Sequence, residues 1–131
     1  MTILLPTTLC LIAAAFVINF WLSMRIGKLR HQFGISVGDG GNEAILRRMR
    51  AQLNFVEQTP LTLIGIAAIE LAGKGGAWLA PLGAVFMLGR IAHAIGMDGS
   101  FKPGRGIGML TGMLPQLVLV IFAVGITLGK I

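Results

Sequence analysis

The chain has no tyrosine, a single cysteine, two histidines and only five acidic residues among 131. Each shortage excludes something. Cys10 cannot form an internal disulfide, and no paired Cys-x-x-Cys spacing is present to hold a metal. His31 and His93 lie far apart in the chain, so no metal cofactor is expected. No aromatic residues are interleaved with a basic patch, so nothing suggests stacking on nucleic acid, and no such partner is expected. Charged residues are 12% of the chain, against roughly a quarter in an ordinary soluble domain. A soluble globular enzyme and a disordered tail are both excluded.

What is present is apolar: 55% of the residues, before the 19 glycines are counted. Four runs are long enough to cross a hydrocarbon core of about 30 Å as helices. They fall at about 3–24, 44–72, 77–96 and 107–128. The expected fold is therefore all-α, an integral membrane four-helix bundle forming one domain over 1–131. Met1-Thr2-Ile3 lacks the basic start of a cleaved signal peptide, so the first span is expected to be retained. Eight of the eleven basic residues fall in two loops: Arg25, Lys28, Arg30, Arg47, Arg48 and Arg50 in 25–50, which includes the start of the second helix outside the hydrocarbon, and Lys102 and Arg105 in 97–106. The positive-inside rule then puts both of these loops in the cytoplasm and both termini outside it. Asn42 is a suitable N-cap for the second helix, with Glu43 at its positive end. Gly104, Gly108 and Gly112 form a small-xxx-small stripe that would let another helix approach closely.

The informative residues are polar ones inside or at the edge of these spans. At about 100° per residue, Asn54 lies about 40° from Arg50, and Glu57 about 20° to the other side, so the three share a narrow face. Gln52 points away from it. Arg90 and His93, at i and i+3, share a face of the third span. A charge at the bilayer centre costs about 2.5–3.5 kcal/mol even on insertion scales, so such residues must pair or face a wet cavity. The plain structural alternative is a buried Glu57–Arg90 ion pair that only joins helices. Glu70, near the end of its helix beside Lys74, reads as interfacial; Asn19 as an interhelical hydrogen bond; His31 as solvated.

Several guanidiniums, one carboxylate and an amide suit a small zwitterion with excess negative charge. Arginine forks match carboxylates in bidentate fashion, and Glu57 can receive an ammonium group. Glutathione has these groups and a thiol whose thiolate fraction a nearby arginine would raise. Composition alone does not choose it over another anionic metabolite.

The segment Arg50-Ala51-Gln52-x-Asn54-x-x-Glu57-x-x-Pro60 resembles the second-span signature of the MAPEG family, membrane-associated proteins of eicosanoid and glutathione metabolism. Gly89-Arg90-Ile91-Ala92-His93 is similar to the prostaglandin E synthase branch of that family. The resemblance covers nearly the whole chain and implies a bacterial-type member in the inner membrane. It implies a homotrimer in the lipid bilayer, with glutathione as co-substrate held between subunits near the cytoplasmic side. Residue by residue, it implies glutathione contacts for Arg50, Asn54, Glu57, Arg90 and His93, and for Arg25 at the end of the first span. Arg105 is the counterpart of the arginine that activates the thiol. The implied activity is a glutathione-dependent transferase or peroxidase acting on lipophilic electrophiles. Two positions depart from the family pattern: Gln58 and Met97 stand where synthases often carry tyrosine. That departure, and a lipid-binding family member without enzymatic activity, keep a non-catalytic binding scaffold open. A small proton-coupled exporter is the more remote alternative.

Overall fold

The structure is a computed structural model that describes residues 3–131. Four helices follow one another: α1 (Pro6–Phe33), α2 (Glu43–Leu71), α3 (Leu79–Met97) and α4 (Gly104–Thr127). The described residues contain no strand, so the all-α expectation holds.

The boundaries differ from the apolar runs where a helix continues into polar sequence. α1 extends nine residues beyond the run that ends at Met24, because nothing in Arg25–Phe33 breaks a helix. It stops at Gly34, whose left-handed φ of 66° lets its N–H return to the carbonyls of Arg30 and His31. α2 starts at Asn42 as expected, with Asn42 Oδ1 accepting from the Ile45 N–H at 3.1 Å. α4 begins at Gly104 and so includes Arg105 in its first turn.

Contacts along the helices fix their directions. Thr8 meets Glu70 and Ser23 meets Gln52, so α1 and α2 run antiparallel. Asn54 meets Arg90 and Arg47 meets Met97 across α2 and α3, while Gly89 approaches Thr111 and Gly96 approaches Gly104 across α3 and α4. α2–α3 and α3–α4 are therefore antiparallel as well. Thr62–Gln116 and Gly65–Leu119 contacts show α2 and α4 running in parallel. The result is an up-down-up-down bundle in which α1 and α4 do not touch. Its core is built from Leu22, Phe55, Ile66, Leu79 and Phe86, together with smaller residues.

Outside this core the surface is apolar. On α4 alone, Met109, Leu110, Met113, Leu114, Leu117, Val120, Ile121 and Val124 are exposed in a continuous stripe. No water-facing surface of that extent is ordinary for a soluble monomer; it is a lipid- or protein-facing surface in a membrane. α1, α3 and α4 are each long and apolar enough to cross a bilayer. α2 is equally long, but its arginines, Glu57 and Glu70 keep it below that apolarity. α2 and α3 each pack against all three other helices.

Candidate functional site

α2 carries the site on one side and α3 with α4 close it on the other. The glycine stripe on α4 makes this approach possible: Gly104, Gly108 and Gly112 are all buried. A Cβ at Gly112 would fall 2.7 Å from Arg90 Nη2 and 2.8 Å from Gln58 Oε1. The stripe thus brings α4 against α3 and also houses a guanidinium.

At the arginine-rich end of the bundle, a cavity of about 310 Å³ is lined by Arg50, Leu53, Asn54, Glu57, His93, Met97 and Arg105. This volume lies at the lower end of the range of about 300–1,000 Å³ for small-molecule sites. Five of the residues expected from the sequence therefore converge: Arg50, Asn54, Glu57, His93 and Arg105. Arg50, Glu57 and Arg105 are exposed along its rim. None of the three forms a salt bridge among the described residues. Two cations and one anion face a common space without neutralising one another.

Arg90 is placed differently from expectation. It does not line the cavity and does not pair with Glu57, so the ion-pair alternative is not what the molecule adopts. Only 2% exposed, Arg90 lies behind the cavity. Its Nη1 donates to Asn54 Oδ1 at 2.6 Å and to Gln58 Oε1 at 3.2 Å. Its Nη2 donates to the carbonyl of Gly108, and its guanidinium carbon lies 5.0 Å from the Phe86 ring centre. The buried Nε has no partner. Since arginine can only donate, both amides must turn their oxygens toward it. The NH₂ group of Asn54 is left as the donor available to the cavity. Arg90 therefore orients Asn54 and polarises it in surroundings of low dielectric.

Arg25 is not brought to this cavity either. It pairs with Asp98, the residue following α3, and its guanidinium carbon stands 4.6 Å from the Trp21 ring centre. Arg48 Nε also reaches Asp98, at 3.5 Å, and Arg48 Nη1 donates to the Arg25 carbonyl at 2.6 Å. The physical reason is proximity: α1 and α3 run parallel, so the Arg-rich end of α1 meets the acidic end of α3 before it can reach the far wall of α2.

Gln58 escaped the sequence reading as a site component. It registered only as the loss of a ring, whereas here its carbonyl holds Arg90. Its place one turn after Asn54 was the available signal. Gln52 points away from the Arg50–Asn54–Glu57 face as expected, and meets α1, donating to Ser23 Oγ at 2.7 Å and to Asn19 Oδ1 at 3.4 Å. A broader hollow of about 520 Å³ lies on that side of α2. It includes Arg30 and shares Arg50 and Leu53 with the polar cavity.

Comparison with known proteins agrees with this architecture. The model of the MAPEG family matches residues 8–125. The uncharacterized protein sll1147 of Synechocystis sp. is 31% identical over 112 residues, covering 85% of this chain and 80% of its own length. The inner membrane protein YecN of Escherichia coli K12 is 27% identical over 100 residues, 76% of each chain. No solved structure matches significantly. With a family match extending from the first turn of α1 to the last turns of α4, this membrane protein belongs to the MAPEG family.

Proposed function

We propose that the polar cavity binds glutathione and that the protein is a glutathione-dependent transferase or peroxidase acting on lipophilic electrophiles. The observation that carries this reading is the set of uncompensated charges on the cavity rim. Arg50 and Arg105 offer forks for carboxylates, Glu57 accepts an ammonium group, and Asn54 donates from the wall. Arg105, at the positive end of α4, stabilises the thiolate, which is the nucleophilic form. Holding the thiolate at the edge of the bilayer brings it to electrophiles dissolved there, and orientation supplies much of the rate. The open side of the cavity is closed by a neighbouring subunit in a homotrimer. The arginine-rich end faces the cytoplasm, following its charge.

The test is titration of detergent-solubilised protein with glutathione, for wild type and for Arg50→Ala and Glu57→Ala. Each variant is expected to bind about 10–100-fold more weakly, the loss typical of a charged contact. The ultraviolet absorbance of bound thiolate should disappear in Arg105→Ala. Unchanged affinity in both rim variants would remove the site assignment.

A second reading is favoured by Gln58 and Met97 in place of tyrosines: a scaffold that binds glutathione or a lipid without turnover. Saturable binding, with no conversion of aryl halides or lipid hydroperoxides, is its signature.

A further inference from the structure

The cavity lies between two bodies. One is α2. The other is the α3–α4 hairpin, whose helices are locked together by backbone contact: a Cβ on Gly96 would fall 2.5 Å from the Arg105 nitrogen, and one on Gly104 2.3 Å from the Ala92 carbonyl oxygen. His93 and Arg105 therefore move as a unit relative to Arg50 and Glu57. What fixes the gap is how the hairpin is tied to α2.

Inward from the cavity there are two ties. Arg90 holds Asn54 and Gln58, and Gln116 Nε2 donates to Thr62 Oγ1 at 3.1 Å. At the mouth the tie is ionic and centres on one carboxylate. Asp98 Oδ2 takes Arg25 Nη2 from α1, and Asp98 Oδ1 takes Arg48 Nε from α2 at 3.5 Å. Arg47 Nη1 adds a long contact of 3.4 Å to the Met97 carbonyl. Met97 is itself part of the cavity wall, and Arg105 follows at the other end of the short turn.

The side chains of Arg25, Arg48 and Asp98 are 12%, 22% and 25% exposed, so their charges are only partly screened by water. Among the described residues Arg25 Nη1 is buried without a partner, and Asp98 is the only carboxylate paired with this guanidinium. Removing the Asp98 charge would do two things together. It would release the hairpin, and it would leave Arg25 and Arg48 repelling each other at the point where three helices meet. The inner ties remain, so the hairpin would swing about them and the cavity would open as a wedge.

We propose that Asp98 is a positioning residue: by clamping the α3–α4 hairpin to α1 and α2, it sets the separation of Arg105 and His93 from Arg50 and Glu57. The proposal deepens the glutathione reading and rests on it.

Asp98→Asn keeps the shape and removes the charge. It is expected to weaken glutathione binding about tenfold in the wild-type background and less than about twofold in an Arg105→Ala background, as coupled sites do. Asp98→Glu should bind within about threefold of wild type. A purely structural role would lower affinity equally in both backgrounds, and that outcome overturns the proposal. A second readout needs no ligand. In a Trp78→Phe chain, Trp21 is the remaining tryptophan and lies against Arg25. Asp98→Asn should shift its emission to the red as the guanidinium leaves, and Asp98→Glu should not. Unchanged emission together with unchanged affinity overturns the clamp. If wild type binds no glutathione, the function assigned above fails, while the emission shift still decides whether the clamp exists. If Asp98→Asn does not fold, Arg25→Gln removes the charge from the other side of the same tie and is expected to weaken binding about tenfold, and wild-type affinity there would overturn the clamp.

Discussion

Of the three glutamates of α2, Glu57 and Glu70 have opposite fates. Glu70, in the last turn, is fully engaged: Oε1 accepts from the Thr7 N–H at 3.0 Å, and Oε2 from the Thr8 N–H and hydroxyl at 2.8 and 2.6 Å. At the end of the bundle where the sequence places it, its carboxylate turns to the first turn of α1 and not to Lys74. α1 has no side-chain cap of its own, its N-cap residue being Leu5, so Glu70 supplies an acceptor to the orphan N–H groups from another helix. Glu57 lies mid-helix on the cavity rim, exposed and outside any salt bridge of the described residues. Both are acids on one membrane helix. The difference separates a carboxylate claimed by donors of its own fold from one left free to meet a partner from outside it.

Three substitutions bear on this contrast through thermal unfolding in detergent. The largest effect is expected from Glu70→Ala, which leaves the α1 terminus without its acceptor and should cost about 2 kcal/mol, at the upper end for a cap. Glutathione affinity of the folded protein should not change. Thr8→Val removes one of the three donors and should cost about 1 kcal/mol. Glu57→Gln should be smallest, within about 0.5 kcal/mol, as for surface changes that remove no specific contact. A loss of stability in Glu57→Gln as large as that of Glu70→Ala would mean that Glu57 joins helices, and the contrast would collapse.

The face of α2 that carries Arg50, Asn54 and Glu57 was readable because helical periodicity is local: residues four and seven positions apart must share a side. The glycine stripe on α4 was readable for the same reason, and its three members are buried. Neither Arg25 nor Arg90 lines the cavity that Arg50, Asn54 and Glu57 share. Their partners, Asp98 for one and Gln58 with Gly108 for the other, come from different helices, and no periodicity within one helix relates them. Gln58 is instructive because it looked like a missing ring and turned out to be an acceptor that a buried guanidinium requires.

By itself the amino-acid sequence determined the membrane environment, the four helices and the residue types able to meet a small anionic ligand. Those follow from hydrophobic length and from the 3.6-residue turn, which act within a single segment. The tertiary structure alone decided which polar groups stay free. In surroundings of low dielectric, a buried donor or acceptor takes its partner from what the neighbouring helix presents, and crossing geometry sets that choice. It gave Glu70 to α1, Arg25 to Asp98 and Arg90 to two amides. Arg50, Glu57 and Arg105 were left facing an open space.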